Sequence, residues 1–132
     1  MSTAPMAQST SWRFVVKSDD GQVSFYAEAK SLTKHGSLRS LRVLYDYLQT
    51  QQDPDTLVRN LSTIEVLSVD CENHRMAPVQ STSYAEHRGA GAVVGKSASL
   101  APAQLRYVAV AAGSLDEKVF KYACASSGAR SG

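Results

Sequence analysis

The chain of 132 residues is the size of one folded domain, and its 43% hydrophobic and 20% charged residues are ordinary for a globular protein. No apolar run approaches the roughly 18 residues that a membrane-spanning helix needs, which excludes a transmembrane segment in this chain. Its 14 basic and 12 acidic residues nearly cancel to a net charge of +2. That balance argues against a nucleic-acid partner, since such proteins usually concentrate basic residues on one face.

The two ends of the chain differ in composition from the segment between them. Residues 1–10 and 126–132 are small and polar, which predicts disordered ends around a single domain over residues 11–125. Residues 1–8 have neither the basic stretch nor the apolar core of a secretory signal peptide. The protein is therefore expected to be either cytosolic or exported with its signal peptide absent from this chain.

The first half of the domain opens with a predicted β-hairpin. Trp12, Phe14 and Val16 alternate with other residues, so the pattern places these three on one face of a first strand. The Asp-Gly pair at 20–21 is typical of a tight hairpin turn, because such turns need residues that accept a positive φ. Residues 22–28 continue as a second strand.

A third, long strand is predicted over residues 37–48, after a turn at 34–36. Leu44 and Leu48 interrupt its alternation, so we expect parts of this strand to be covered on both faces. Residues 49–60 are polar and predict a mobile surface loop. We expect a partner to contact this loop or a basic strand face. The residues proposed for partner contact are Arg39, Arg42, Gln51, Gln52 and Asp53.

Three further strands and a helix are predicted in the second half. The fourth strand ends at Cys71, the fifth spans about 76–84, and the sixth spans 92–97. Pro78 has no amide hydrogen to donate, which predicts a sheet edge or a bulge there.

A C-terminal helix is predicted from the Ser114–Glu117 capping box, which begins a run ending near Cys124. About eleven residues are too few for an isolated helix to be stable, so this helix must dock on the rest of the domain. Its apolar stripe consists of Leu115, Val119, Tyr122 and Ala123.

The two cysteines, Cys71 and Cys124, lie at the ends of a predicted strand and of the helix. They are either free buried thiols or a disulfide that ties the helix to the sheet and indicates an oxidising compartment. Their positions favour the bond, since it would fix a helix too short to stand alone. Cys124 lies off the centre of the apolar stripe, so a bond predicts a tilted or frayed last turn.

The residues that could carry chemistry form no recognisable site. His74 lies three residues after Cys71, but the acidic neighbours of that cysteine disfavour a reactive thiolate. A zinc site needs four ligands, and only Cys71, His74 and Cys124 are easily gathered. The glycine-rich segment 89–97 lacks the spacing of phosphate-binding loops. The sequence therefore predicts a non-enzymatic protein with no catalytic residue, metal or cofactor.

Several short motifs occur in a familiar order. A tryptophan-led first strand ends in an Asp-Gly turn, and a later Gly-Ser helix ends in a cysteine after a glycine-rich turn. Between them come Phe25-Tyr26 leading to Ser31-Leu32, and then Val69-Asp70-Cys71 with Arg75 shortly after. Over roughly residues 11–125 this order resembles the surface-adhesin protein E-like family of bacterial envelope proteins.

The resemblance implies an α+β, mainly β fold: a curved antiparallel sheet of about six strands, with a short C-terminal helix on its concave face. It also implies that a Cys71–Cys124 disulfide ties the helix to the sheet. The implied location is the periplasm or the outer-membrane surface. The implied function is non-enzymatic binding of another protein, such as a host extracellular-matrix or serum protein, together with a capacity to form a homodimer.

A second function class stays open: a periplasmic domain that binds a small molecule or lipid between the helix and the sheet. The aromatic residues able to line such a space are Tyr45, Tyr47, Phe120 and Tyr122. The same residues serve equally well as ordinary core, so this function requires a cavity of several hundred Å³.

Overall fold

The protein is built from strands around a single helix. The structure, a computed structural model, describes residues 12–125 and the backbone of residues 130–131. In chain order the elements are β1 (Trp12–Lys17), β2 (Val23–Glu28), β3 (Thr33–His35), β4 (Leu38–Gln52), β5 (Arg59–Asp70), β6 (Arg75–Tyr84), β7 (Val93–Lys96), β8 (Val108–Ala109), α1 (Leu115–Ala125) and β9 (Arg130–Ser131). Short 3-10 turns occur at Ala29–Ser31, His87–Gly89 and Pro102–Gln104.

The strands form one open sheet with the main order β1-β2-β4-β5-β6-β7, all antiparallel. The short strands extend its margins: β3 pairs with β4, β8 pairs with β6, and β9 pairs in parallel with β3. Six main strands, one helix and the disulfide between them confirm the predicted α+β, mainly β fold.

The face of the sheet that α1 covers, here called the inner face, carries the main core. Alternation along β4 directs Leu41 and Val43 to this face, and both are fully buried. The residues from α1 that pack against it are Val119, Phe120 and Ala123. Burial of these three side chains supplies the docking that an eleven-residue helix requires.

The opposite face, here called the outer face, has a smaller buried cluster of its own. Leu44 is fully buried there and lies opposite Ile64 on β5. The turn His87–Gly89 lies against β4 and β5, and Ser62 ties it down by donating to the Glu86 carbonyl oxygen at 2.6 Å. The expectation that β4 is covered on both faces is thus confirmed at Leu44, whereas Leu48 is 61% exposed.

The helix begins as its capping sequence predicts. Ser114 Oγ accepts a hydrogen bond from the Glu117 amide at 3.1 Å. The Glu117 carboxylate accepts one from the Gly113 amide at 2.9 Å, and this bond holds the pKa of Glu117 below its usual value. One of the amides that a helix start leaves unpaired is therefore satisfied by Ser114, and Glu117 fixes the residue just before the cap.

The disulfide joins Cys71, the residue after β5, to Cys124 in the last turn of α1. Their Cα atoms are 5.7 Å apart, and α1 continues without interruption to Ala125. The expected tilted or frayed last turn is therefore wrong. Cys71 lies at the sheet end nearest the end of α1, so a side chain beside the apolar stripe reaches it from a regular helix.

Register shifts between neighbouring strands occur in β1 and near Pro78, and the one in β1 changes which face a side chain occupies. A bulge in β1 between Phe14 and Val16 places Val16 opposite Phe25 on the inner face, while Trp12 and Phe14 stay on the outer face. The prediction that all three share a face is wrong, since an extra residue in a strand reverses the alternation beyond it. The bulge predicted at Pro78 is confirmed by the register shift between β5 and β6.

The predicted loop over residues 49–60 is shorter than expected. β4 continues to Gln52 and β5 begins at Arg59, so ladder pairing extends into polar sequence and leaves only residues 53–58 as a turn. The polarity of residues 49–60 correctly indicated that nearly all of them are exposed. It did not mean that they lack regular structure, because parts of them belong to β4 and β5.

Most residues of the two ends that were predicted to be disordered lie outside the part of the chain that the structure describes. Residues 1–11, 126–129 and 132 lie outside the described residues. The backbone of Arg130–Ser131 pairs with Thr33 and Lys34 of β3, so this part of the predicted tail forms a strand.

Candidate functional site

The structure separates the two arginines that were expected to form one basic strand face. β4 runs without a register shift from Leu38 to Asp46, so residues 39 and 42 project from opposite faces. Arg42 projects from the outer face and forms an ion pair with Glu28. Arg39 projects from the inner face, where its guanidinium donates to the Gly36 carbonyl oxygen at 3.4 Å.

The other predicted contact residues lie together at one tip of the sheet. Gln51 and Gln52 belong to β4, and Asp53 begins the turn that follows; all three are exposed. Asp53 Oδ1 accepts hydrogen bonds from the amides of Thr56 and Asp55, which lower the pKa of its carboxyl group. This tip is an ordered turn that presents polar side chains, and its role in partner contact remains a prediction.

A different group of side chains forms the most distinctive surface of the molecule. The group, here called the outer-face cluster, consists of Trp12, Phe14, Tyr26, Arg42 and Arg88. Cross-strand register brings the first four together: Phe14 lies opposite Tyr26, and Tyr26 lies opposite Leu44, two residues along β4 from Arg42 on the same face. Arg88 comes from the turn that covers the outer face.

The members of the outer-face cluster hold one another in place. Phe14 and Tyr26 meet edge to face with ring centroids 5.8 Å apart. The Arg88 guanidinium lies 4.7 Å from the centroid of the Tyr26 ring, and that of Arg42 lies 5.6 Å from the Trp12 ring. The rings of Trp12 and Tyr26 therefore each lie beside a guanidinium, and Phe14 packs on Tyr26.

Acidic side chains anchor both arginines of the cluster. Glu28 pairs with Arg42, and Asp46 accepts the Arg88 amide at 2.8 Å. The guanidinium Nε of Arg88 lies 3.9 Å from Asp46, a long ion pair. These contacts orient the arginines while leaving the Arg88 side chain 59% and that of Arg42 38% exposed.

The composition and exposure of the outer-face cluster suit protein recognition. Phe14 remains 59% exposed, which is unusual for so large an apolar side chain beside two other aromatics. Tryptophan, tyrosine and arginine dominate the residues that carry binding energy at protein interfaces. Because the arginines are already oriented, binding would cost less side-chain entropy than it would with free ones.

Sequence reasoning proposed Arg42 for partner contact but missed the rest of this cluster for two reasons. The bulge after Phe14 was not visible in the pattern, and Arg88 is 62 residues away from Tyr26 in the chain. The sequence did contain one signal, the aromatic residues Trp12 and Phe14 at alternate positions of the first strand. Once the register of the hairpin is known, these two residues indicate a partly exposed strand face.

The aromatic residues expected to line a carrier pocket have separate roles. Tyr45 lines a cavity of about 240 Å³ beside the start of α1. Phe120 is 5% exposed within the main core, and Tyr122 packs against that core. The Tyr47 hydroxyl donates to Thr63 at 3.3 Å.

The disulfide removes both cysteines from thiol or metal chemistry, and the His74 ring packs on Phe120 with centroids 4.2 Å apart. In the described part of the chain no group of three or more His, Cys, Asp or Glu residues could hold a metal ion. Over those same residues, no helix has the length and apolar character needed to cross a membrane.

Comparison with known proteins agrees with this architecture. Residues 12–125 match the family model described as surface-adhesin protein E. A crystal form II structure of Haemophilus influenzae protein E superposes with a TM-score of 0.65 and 14% identity, covering 95% of this chain and 96% of that one. Protein E from non-typeable Haemophilus influenzae gives a TM-score of 0.64 and 14% identity, covering 96% and 85%.

A third structure of Haemophilus influenzae protein E has a TM-score of 0.62 and 15% identity, covering 95% of this chain and 92% of that one. No curated protein sequence is significantly similar to this chain. At such low identities the structural likeness shows a shared fold. The family model, by contrast, spans the whole described domain from β1 to α1. The chain belongs to the surface-adhesin protein E family.

Proposed function

We propose that this protein is a non-enzymatic, exported bacterial envelope domain that binds another protein through the outer-face cluster. The observation that carries the proposal is the exposed Phe14 ring beside the half-buried rings of Trp12 and Tyr26 and two oriented arginines, on a disulfide-tied sheet. Membership of a surface-adhesin family supports the same function. The partner is a host extracellular-matrix or serum protein.

Export is supported by the Cys71–Cys124 bond together with the family. Disulfides persist in oxidising compartments and are rare in the cytosol. The proposed location is the periplasm or the outer-membrane surface.

The proposal is tested with matched pairs of surface variants. Phe14→Ala/Arg88→Ala removes two exposed members of the outer-face cluster, and Leu57→Ala/Arg59→Ala removes an exposed apolar and a basic residue at the tip that holds Gln51 and Asp53. Binding of each purified protein to immobilised serum and extracellular-matrix proteins is measured by biolayer interferometry.

We expect the outer-face pair to weaken binding by at least about tenfold, since hot-spot residues contribute more than about 1 kcal/mol each, and the tip pair to leave it unchanged. Loss of binding in the tip pair alone would move the contact to Gln51, Gln52 and Asp53. Retention of binding in the outer-face pair would contradict the proposed surface.

A further inference from the structure

A cavity of about 240 Å³ opens on the inner face, on the other side of the sheet from the outer-face cluster. Most of its wall is apolar and comes from β5, β6 and the segment before α1: Leu67, Met76, Pro78, Val108 and Val110. Three polar side chains lie on its lining, namely Tyr45, Glu65 and Asp116. The cavity is smaller than the sites that hold drug-sized ligands, so its size suits a small group.

The polar corner of the cavity is ordered by a hydrogen bond. The Tyr45 hydroxyl donates to Glu65 Oε1 at 2.7 Å. Burial raises the pKa of Tyr45, so its hydroxyl keeps its proton and holds the carboxylate in place. The other oxygen of Glu65 stays available to a further donor.

The negative charge at this corner is not balanced by a basic side chain of the described domain. Among residues 12–125 neither Glu65 nor Asp116 forms an ion pair with a lysine or arginine. Burial raises the pKa of Glu65, the Tyr45 hydrogen bond opposes that rise, and the charge of Asp116 adds to it. A bound cation would relieve both the desolvation and the repulsion.

We propose that this cavity binds an alkylammonium ion, with its aliphatic chain along the apolar wall and its ammonium between Glu65 and Asp116. An ammonium has three donors and no acceptor, which suits two carboxylates. A free aliphatic amine and the side chain of a lysine in another protein present the same group. The site is independent of the outer-face cluster, because the two lie on opposite faces of the sheet.

The test uses n-pentylammonium as the probe and n-pentanol as the neutral probe of equal chain length. Each is titrated into the full chain while amide resonances are followed by NMR, with Ala109 and Val110 as reporters at the cavity wall. We expect a dissociation constant on the order of 1 mM for so small a ligand. The alcohol should bind at least tenfold more weakly.

Two variants locate the ammonium. Glu65→Gln keeps the shape and an oxygen acceptor but removes the charge, and Asp116→Asn does the same at a different position, so one variant remains informative if the other does not fold. Each should weaken pentylammonium binding at least fivefold, and Leu57→Ala at the exposed tip of the sheet should leave it unchanged. Equal binding of alcohol and ammonium, or unchanged binding in a folded Glu65→Gln or Asp116→Asn variant, would overturn the proposal.

A third probe, Nα-acetyl-lysine methylamide, distinguishes the two sources of the ligand. Chemical shift changes at Ala109 and Val110 with both probes would support a site that also admits a lysine side chain of a partner protein. Changes with pentylammonium alone would support a site for free amines. Loss of partner binding through the outer-face variants tests the proposed function separately and has no bearing on this titration.

Discussion

The two faces of the sheet are covered in different ways. On the inner face, α1 packs on β1, β4 and β5 and buries Val119, Phe120 and Ala123, and the disulfide fixes its last turn. On the outer face, the turn His87–Gly89 covers a smaller patch around Leu44 and Ile64. Beside this small patch the outer-face cluster leaves Phe14 open to solvent and the Trp12 and Tyr26 rings half-buried, each beside an arginine.

This contrast indicates that the two faces of the domain have different roles, stability on the inner face and recognition on the outer face. A single sheet with one helix has only one large core, so the inner face carries most of the free energy of folding. The outer face can then present large side chains for recognition, since little of the stability depends on burying them. Substitutions that exchange similar residues between the faces test this division.

The largest difference in the free energy of unfolding is expected between alanine variants of two phenylalanines on opposite faces. Phe120→Ala should lower the free energy of unfolding by about 3–5 kcal/mol, because the side chain is 5% exposed in the core. Phe14→Ala should change it by less than about 0.5 kcal/mol, because that ring is 59% exposed. Urea unfolding followed by circular dichroism measures both changes in the free energy of unfolding. Equal losses of stability in the two variants would contradict the proposed difference between the faces.

Removal of the disulfide, which ties the helix to the inner face, should lower the free energy of unfolding by a similar amount. Cys71→Ala/Cys124→Ala opens a loop spanning 53 positions, which corresponds to about 4 kcal/mol of chain entropy. Thermal unfolding of the double variant and of the wild type with and without reductant measures this loss. A reduced wild type as stable as the oxidised protein would show that packing alone holds α1.

The small outer-face core can be tested through two glycines with similar backbone conformations. Gly36 and Gly89 have φ of +62° and +71°, but a Cβ at Gly36 would meet nothing within 4 Å, whereas one at Gly89 would lie 2.8 Å from Ile64 Cδ1. Gly36→Ala should cost about 1 kcal/mol for its backbone conformation alone. Gly89→Ala should cost about 2 kcal/mol, because crowding adds to that cost. If the two variants are equally stable, the turn does not pack tightly on the outer face.

The smallest effect concerns Asp70 at the end of β5 and depends on pH. Hydrogen bonds from the Asn73 side chain at 3.0 Å and the Arg75 guanidinium at 2.8 Å hold the pKa of Asp70 below its ordinary value. Because the folded pKa lies below the unfolded one, this stabilisation is present above about pH 4 and is lost as pH falls through the folded pKa.

Asp70→Asn should therefore unfold at a lower temperature than wild type at pH 7, and the two Tm values should converge as pH falls below about 4. Calorimetry at a series of pH values provides the comparison. A difference in Tm that persists unchanged at pH 2 would mean that Asp70 acts through shape and not through its charge.

The features predictable from sequence were those specified locally. The Asp-Gly turn, the capping of α1 by Ser114 and Glu117, and the main strands each depend on residues close together in the chain. The resemblance to the adhesin family supplied the pairing of Cys71 with Cys124, which local pattern left open.

The features missed depend on register between distant segments. One extra residue in β1 moved Val16 to the core and left Phe14 outside, and no local signal marked the bulge. Arg88 joins Tyr26 only because a turn after β6 folds over β4. The polar residues 49–52 extend β4 because β5 offers a pairing partner, which composition alone cannot reveal.

Hydrogen–deuterium exchange on the full chain, alone and bound to a captured serum or matrix protein, tests the central claim most directly. The account predicts slowed exchange at the backbone amides of Phe14, Tyr26 and Arg88, with α1 unaffected by the partner. Slowed exchange along α1, with the amides of the outer-face cluster unchanged, would contradict it.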